Sequence, residues 1–246
     1  MVDPSSEEYS ADYAYFRARL AKQGPLSYEW WASRFTACLV RRYRQGGRLL
    51  EIGCGLGRTL QLLEDDFETH GIDISAYAVE LARQAAPRSQ IAQMDARDLA
   101  ATDAIPFEEA SLDVVLAAHV FEHLDDPGDT VAQCARLLKP GGLLLFLVPN
   151  TGCVSRRWKG RDWFGFRDAG HVSLLSPDRW LELVRAGGLR VTRVFGDALW
   201  DAPYVPLIPT SIQRVVFLLP ALVQFQLGMP LIPPKWGEDL GVVARK

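Results

Sequence analysis

The sequence predicts an α/β protein in which a mostly parallel sheet is covered by helices on both faces. Three observations lead there. Runs such as RLLEIG (48–53), SLDVVLAAHV (111–120) and LLLFLVP (143–149) are apolar at successive positions, as strands buried on both faces must be. Helix-length stretches separate these runs, so strand and helix alternate from residue 48 to residue 197. At the first strand-to-helix turn, LLEIGCGLG (49–57) places three glycines at alternate positions, where a doubly wound sheet binds ligands.

The elements follow in order. Residues 9–24 and 27–43 read as two amphipathic helices, the second opened by Ser27 as N-cap and closed by Arg41, Arg42 and Arg44. RLLEIG is the first strand, and a helix runs from Arg58 to about Asp66. ETHGIDI (68–74) is the second strand, followed by a helix over 75–86 that Pro87 stops. QIAQMD (90–95) is the third strand and SLDVVLAAHV the fourth. A helix over 127–140 ends at Pro140-Gly141-Gly142, and LLLFLVP is the fifth strand. Ser176 and Pro177 open a helix over 176–188, LRVTRVFGD (189–197) is the sixth strand, and DLGVVARK (239–246) the seventh. The chain therefore reads as one domain: a helical cap (1–46), a core (47–197), a proline-rich apolar insertion (198–236) and a last strand (237–246).

Composition narrows the function. Hydrophobic residues make up 48% and charged residues 23%, enough for a full core, and a net charge of -3 argues against nucleic acid as partner. The four cysteines, Cys38, Cys54, Cys134 and Cys153, form no pair with metal-like spacing, so neither a zinc site nor a disulfide framework is expected. The acidic start MVDPSSEEYSADY lacks the apolar run of a secretory signal. VVFLLPALV (215–223) is too short for a membrane span and is broken by Pro220. Cytoplasmic localisation is the expectation, with peripheral membrane contact as its variant.

Gly53, Gly55 and Gly57 supply unusual backbone angles and let a ligand approach the main chain. The spacing is GxGxG, where a dinucleotide fingerprint has GxGxxG. Glu51 stands just before the first glycine; a carboxylate there repels a pyrophosphate and favours a cation. Asp73, 22 residues on, has near the spacing of a carboxylate that holds ribose hydroxyls.

LEIGCGLGRTL resembles motif I of the class I S-adenosylmethionine-dependent methyltransferases, and the resemblance continues through GIDIS (71–75), MDARDL (94–99), LDVVLAAHVFEHLDDP (112–127) and LLKPGGLLLFLVPN (137–150), five blocks in order over residues 48–197. It implies a Rossmann-like seven-stranded sheet, S-adenosylmethionine as cofactor and S-adenosylhomocysteine as product. It implies a cofactor site at Glu51, Gly53, Cys54, Gly55, Gly57 and Asp73, with Ile74 beside the adenine, Asp95 and Ala96 near its amino group, and His119 at the end of the fourth strand. Cys54 is read as a small turn residue and not as a nucleophile.

A methyl acceptor with a hydroxyl group needs a base, and a histidine with its ordinary pKa can serve near neutrality. The candidates are His123, in HVFEH, and His171, in RDAGHVSLLSP, a block that resembles the quinone-precursor O-methyltransferases. Each has a structural alternative, His123 as a turn cap and His171 as a loop anchor. HVFEH shows two histidines but no third ligand, so no metal is expected. Trp30 and Trp31 from the cap, with Trp163, Phe164 and Arg167 from the basic aromatic stretch 155–168, are the expected acceptor contacts. The segment 203–236 is left with three fates: a lid, a homodimer interface or a membrane contact. The resulting expectation is methyl transfer to a small-molecule or lipid-linked acceptor, most simply at oxygen. N-methylation of an amine or amino sugar, a non-catalytic S-adenosylmethionine-binding protein and a nicotinamide dehydrogenase are the alternatives.

Overall fold

A computed structural model describes residues 15–17, 27–99 and 107–246. Its seven strands are β1 (Arg48–Ile52), β2 (Glu68–Asp73), β3 (Gln90–Gln93), β4 (Leu112–Ala118), β5 (Leu138–Pro149), β6 (Arg190–Gly196) and β7 (Asp239–Arg245). They form one sheet in the order β3-β2-β1-β4-β5-β7-β6, with β7 antiparallel to both its neighbours and every other pair parallel. The helices are α1 (Tyr28–Tyr43), α2 (Arg58–Leu63), α3 (Ala76–Ala85), α4 (Pro127–Leu137), α5 (Val154–Lys159), α6 (Pro177–Ala186) and α7 (Thr210–Leu227).

The double-sided apolar runs have the predicted consequence. Leu49, Val114 and Leu145 join a core under one face; Leu50, Val115 and Leu144 join the core under the other. Ser27 and Ser176 are the N-caps the sequence predicts, accepting from the amides of Trp30 and Arg179, and Ser75, read as the first residue of its helix, caps it by accepting from Ala78. The strand order reverses between β1 and β4, so their connections leave in opposite directions and open a crevice at the carboxyl edge.

Three differences from the sequence reading have physical causes. The helix expected over 127–140 ends at Leu137, because Leu138 is already extended and pairs with Leu112; Lys139 to Gly142 are then taken up in a register shift before Leu143 pairs with Val114. The third strand stops at Gln93, and Asp95 caps a short 3-10 turn instead. The insertion holds an 18-residue helix, α7, that runs through Pro220. That helix is long and apolar enough to cross a membrane, as VVFLLPALV alone is not. Its inner face packs on α1, where Phe225 meets Tyr28 and Phe35.

Most of the first expected helix lies outside the described residues. Of the part described, Phe16 is buried against Leu56 and Ala78, and its ring edge comes 3.9 Å from where a side chain on Gly55 would begin. The N-terminal region thus does reach the glycine turn.

Candidate active site

The glycines divide their work. A Cβ on Gly53 would sit 2.3 Å from Val120 Cγ2, and one on Gly57 would sit 3.0 Å from the Ala82 backbone, so these two allow the β4 loop and α3 to pack close. Gly55, at φ 51°, faces open space apart from Phe16, and its N–H donates to Asp73 Oδ2 over 2.8 Å. The side left open to a ligand is therefore that of Gly55.

Glu51 is buried, and its Oε2 has no hydrogen-bond partner. Burial pushes its carboxyl up to about 8, aided by the nearby Asp73 charge and opposed by bonds from the Thr59 side chain and the Leu60 backbone. A buried carboxylate with an orphaned oxygen, beside a second carboxylate, suits a cation and disfavours a phosphate. These residues fit the ammonium and sulfonium of S-adenosylmethionine. Asp73 is held by the amides of Gly55 and Ser75. A carboxylate oxygen can accept more than one hydrogen bond, and a carboxylate presents two such oxygens to a ribose diol. Ile74 is 64% exposed next to it, while Met94 and Ala96 are buried beside the same edge. An exposed large apolar side chain here is suited to cover an aromatic base.

Two of the expected cofactor contacts are otherwise engaged. Asp95 is gripped by Arg97, whose Nε lies 3.0 and 3.1 Å from its two oxygens and whose Nη2 lies 2.6 Å from Oδ2; this holds its carboxyl below the usual range. An adenine amino group would share this carboxylate with the Arg97 guanidinium. The Cys54 side chain turns into the core, with Sγ 3.0 Å from where a Cβ on Gly71 would sit, and burial pushes its thiol up. It is no nucleophile, and only its backbone belongs to the turn.

The histidines converge. The 3-10 turn after β4 (Phe121–His123) and the loop before α6 are tied together by Ser173, whose N–H donates to Glu122 O and whose Oγ donates to Leu124 O. His123 Nδ1 lies 3.0 Å from Gly170 O and His171 Nδ1 lies 2.8 Å from Gly165 O. A carbonyl only accepts, so each Nδ1 carries a proton and donates it; the Nε2 of His171 lies 3.8 Å from Asp168 Oδ2. The ring centroids are 4.9 Å apart. Glu122 is fully buried beside them with Oε2 unpartnered, and ligand atoms of Glu122, His123 and His171 all lie within 4.8 Å of one another. The grouping joins Glu122 and His123 to His171 and leaves out His119, the other histidine of HVFEH.

His119 takes a left-handed conformation, φ 57°, at the end of β4. Its Nδ1 lies 3.3 Å from Glu122 Oε1 and its Nε2 3.6 Å from Asp239 Oδ2, with 43% of the side chain exposed.

The expected acceptor contacts fare unevenly. Trp163 is fully buried, and its indole N–H donates to Glu238 Oε2 over 2.9 Å, so it is a peg under the loop and not a pocket wall. Arg167 pairs with Asp201, which also holds Lys159, so its fork is not free for an acidic acceptor. Phe164 is half-buried against Trp200, centroids 4.6 Å apart. Trp30 and Trp31 meet edge to face in the first turn of α1, with Arg34 stacked 4.4 Å over Trp30.

Sequence reasoning missed the buried carboxylates Asp197, Glu238 and Asp239. They gather at the same edge because β7 is antiparallel, so its first residue lies opposite Pro149, the last of β5. Asp197 accepts from the Asp239 amide and from Tyr28 Oη, which pins the start of α1 to the site. Burial pushes Asp239 up to about 8 and leaves its Oδ1 without a partner. Asp197 at the end of LRVTRVFGD and GED at 237–239 were the visible signals, but only the strand pairing brings them together.

A family model described as a methyltransferase domain matches residues 23–194. The chain belongs to the methyltransferase-domain family. It is similar to the ubiquinone biosynthesis O-methyltransferase of Burkholderia cenocepacia, at 37% identity over 61% of this chain and 68% of that one. It is also similar to the 27-O-demethylrifamycin SV methyltransferase of Amycolatopsis mediterranei, at 32% identity over 59% and 55%. The matched region spans between 43% and 68% of the length of such relatives. A SAM-dependent methyltransferase of Archaeoglobus fulgidus shares the fold with a TM-score of 0.62, at 20% identity over 94% of this chain and 99% of that one. The family is class I, and S-adenosylmethionine is the cofactor it implies.

Proposed function

We propose that this methyltransferase-domain protein transfers a methyl group from S-adenosylmethionine to a hydroxyl oxygen of a small or lipid-linked acceptor. The observation that carries the oxygen assignment is the His123–His171 pair: two rings 4.9 Å apart whose Nδ1–H groups are fixed by carbonyls, so that Nε2 is the atom turned to take a proton, that of His171 lying 3.8 Å from Asp168 Oδ2. The O-methyltransferase names of the two curated relatives support it.

S-adenosylmethionine supplies an activated methyl that is displaced from sulfur. Glu51 would neutralise the cationic amino-acid end, and Asp73 would hold the ribose. Val120 and Phe16 close on the glycine turn and help exclude water. Either Nε2 receives the hydroxyl proton as oxygen attacks in line, at a near-attack distance of roughly 3–3.5 Å. The test is incubation with methyl-labelled S-adenosylmethionine and separated soluble and lipid extracts. A methyl ether product supports the assignment; label found only in amines moves it to N-methylation, and none in either extract removes it.

A second reading is favoured by the Glu122–His123–His171 grouping, since carbonyl-oriented histidines beside a buried carboxylate are a donor set for a divalent cation. Titration of the wild type and of His171→Ala with zinc or manganese decides it: saturable binding lost in the variant supports a metal site, and no binding leaves the histidines as bases.

A further inference from the structure

The helix α7 is amphipathic in reverse. Its inner face carries two buried glutamines. Gln213 accepts from the amides of Tyr204 and Val205 and donates to the carbonyls of Val205 and Ile208. Gln224 donates to the carbonyls of Gly196 and Asp197 and accepts from the amides of Leu231 and Ile232. The opposite face carries Ile212, Val215, Val216, Leu219, Val223 and Leu227, each more than half exposed. Their spacing at i, i+3, i+4 and i+7 makes one continuous apolar stripe. A helix held to its domain by amide side chains, with its aliphatic side chains turned outward, has that face prepared for an apolar environment.

The surroundings say which environment. From residue 202 to residue 237 there is no Asp or Glu, while Arg214 and Lys235 are present in a chain of net charge -3. Trp236 and Trp158 stand 40% and 51% exposed, 6.4 Å apart, with Lys235 Nζ 5.7 Å from the Trp236 ring centroid. Trp158 lies on α5, whose neighbourhood meets α7 through Tyr204 and Phe217. Arg157 on α5 and Arg161 just beyond it are exposed and carry no ion pair among the described residues. An apolar stripe bordered by tryptophans and unpaired cations matches an anionic bilayer surface, where the stripe meets acyl chains and the rim meets phosphates. A second copy presenting the same face would bring like charges together. The glutamine tethers to Gly196 and Asp197 hold the helix against the sheet edge, so it lies along the surface and does not span.

We propose that α7 docks this protein onto anionic membranes as an in-plane helix. This goes beyond the methyl-transfer reading and is scored without cofactor or acceptor. The test is co-sedimentation with vesicles of phosphatidylcholine containing 30% phosphatidylglycerol by design, against phosphatidylcholine alone, with sedimentation equilibrium in parallel. The wild type is expected to bind the anionic vesicles as a monomer. Val215→Ser with Leu219→Ser and Val223→Ser is expected to bind at least tenfold more weakly at an unchanged melting temperature. Lys235→Gln and Arg157→Gln each are expected to weaken binding about fivefold, the effect of one interfacial charge. Vesicle binding that is absent or insensitive to all of these variants overturns the proposal, as does a wild-type dimer that the triple variant dissociates.

Discussion

Glu51 allows a quantitative test of the cofactor site. Its carboxyl is pushed up to about 8 in the unliganded protein, so at pH 7 about nine in ten molecules hold it protonated. A cationic ligand needs it ionised. Binding S-adenosylmethionine at pH 7 should therefore release roughly half to four-fifths of a proton, and affinity should rise by roughly five- to twenty-five-fold between pH 6 and pH 8. Above that the ligand's own amino group, with a pKa of about 7.7–8.0, begins to lose its charge, so affinity passes through a maximum near pH 8. In Glu51→Gln the charge-assisted interaction, worth about 1.5–3 kcal/mol, is lost at pH 8, a weakening of roughly tenfold to hundredfold. At pH 6 the wild type is itself protonated and the two proteins should converge. Isothermal titration in buffers of different ionisation enthalpy reads the affinity and the proton count together. Flat affinity from pH 6 to pH 8 with no proton release in the wild type would refute the assignment of Glu51 as the cation's partner. The same residue sets a stability trend. A carboxyl whose folded pKa lies above its unfolded value makes the unliganded protein lose stability as pH rises from about 4.5 to about 8, and Glu51→Gln should flatten that part of the melting curve.

Other perturbations have similarly defined outcomes. Asp73→Ala should weaken S-adenosylmethionine at least tenfold by titration, because ribose hydroxyls and the Gly55 amide lose their acceptor; unchanged affinity would contradict it. His171→Ala should depress kcat while leaving cofactor affinity intact, and full turnover would remove it from the proton path. Gln224→Leu should lower stability by about 1–3 kcal/mol in denaturant titration, since it strands two carbonyls and two amides at the root of α7; a neutral result would mean those groups find other partners.

The sheet was legible because its strands are buried on both faces, and a two-sided apolar run has few other readings. The cofactor edge was legible for a related reason: glycine, Glu51 and Asp73 act close to their own backbone positions, so spacing carries the geometry. The acceptor side was less so. Trp163 and Arg167 looked like pocket residues from composition alone, yet Glu238 and Asp201, each more than 30 residues away, claim them. The Arg97 pairing of Asp95 was not legible, because only the short 3-10 turn brings that near neighbour round. Helix α7 was hidden by Pro220 and by its inverted pattern, in which the polar residues point inward.

The measurement that bears most directly on the whole account is a crystal structure with S-adenosylmethionine bound. The account predicts the methionine end between Glu51 and the open side of Gly55, the ribose hydroxyls on Asp73, and the transferable methyl directed toward His123 and His171. A cofactor whose ribose lies away from Asp73, or whose methyl points away from the histidine pair, would contradict it.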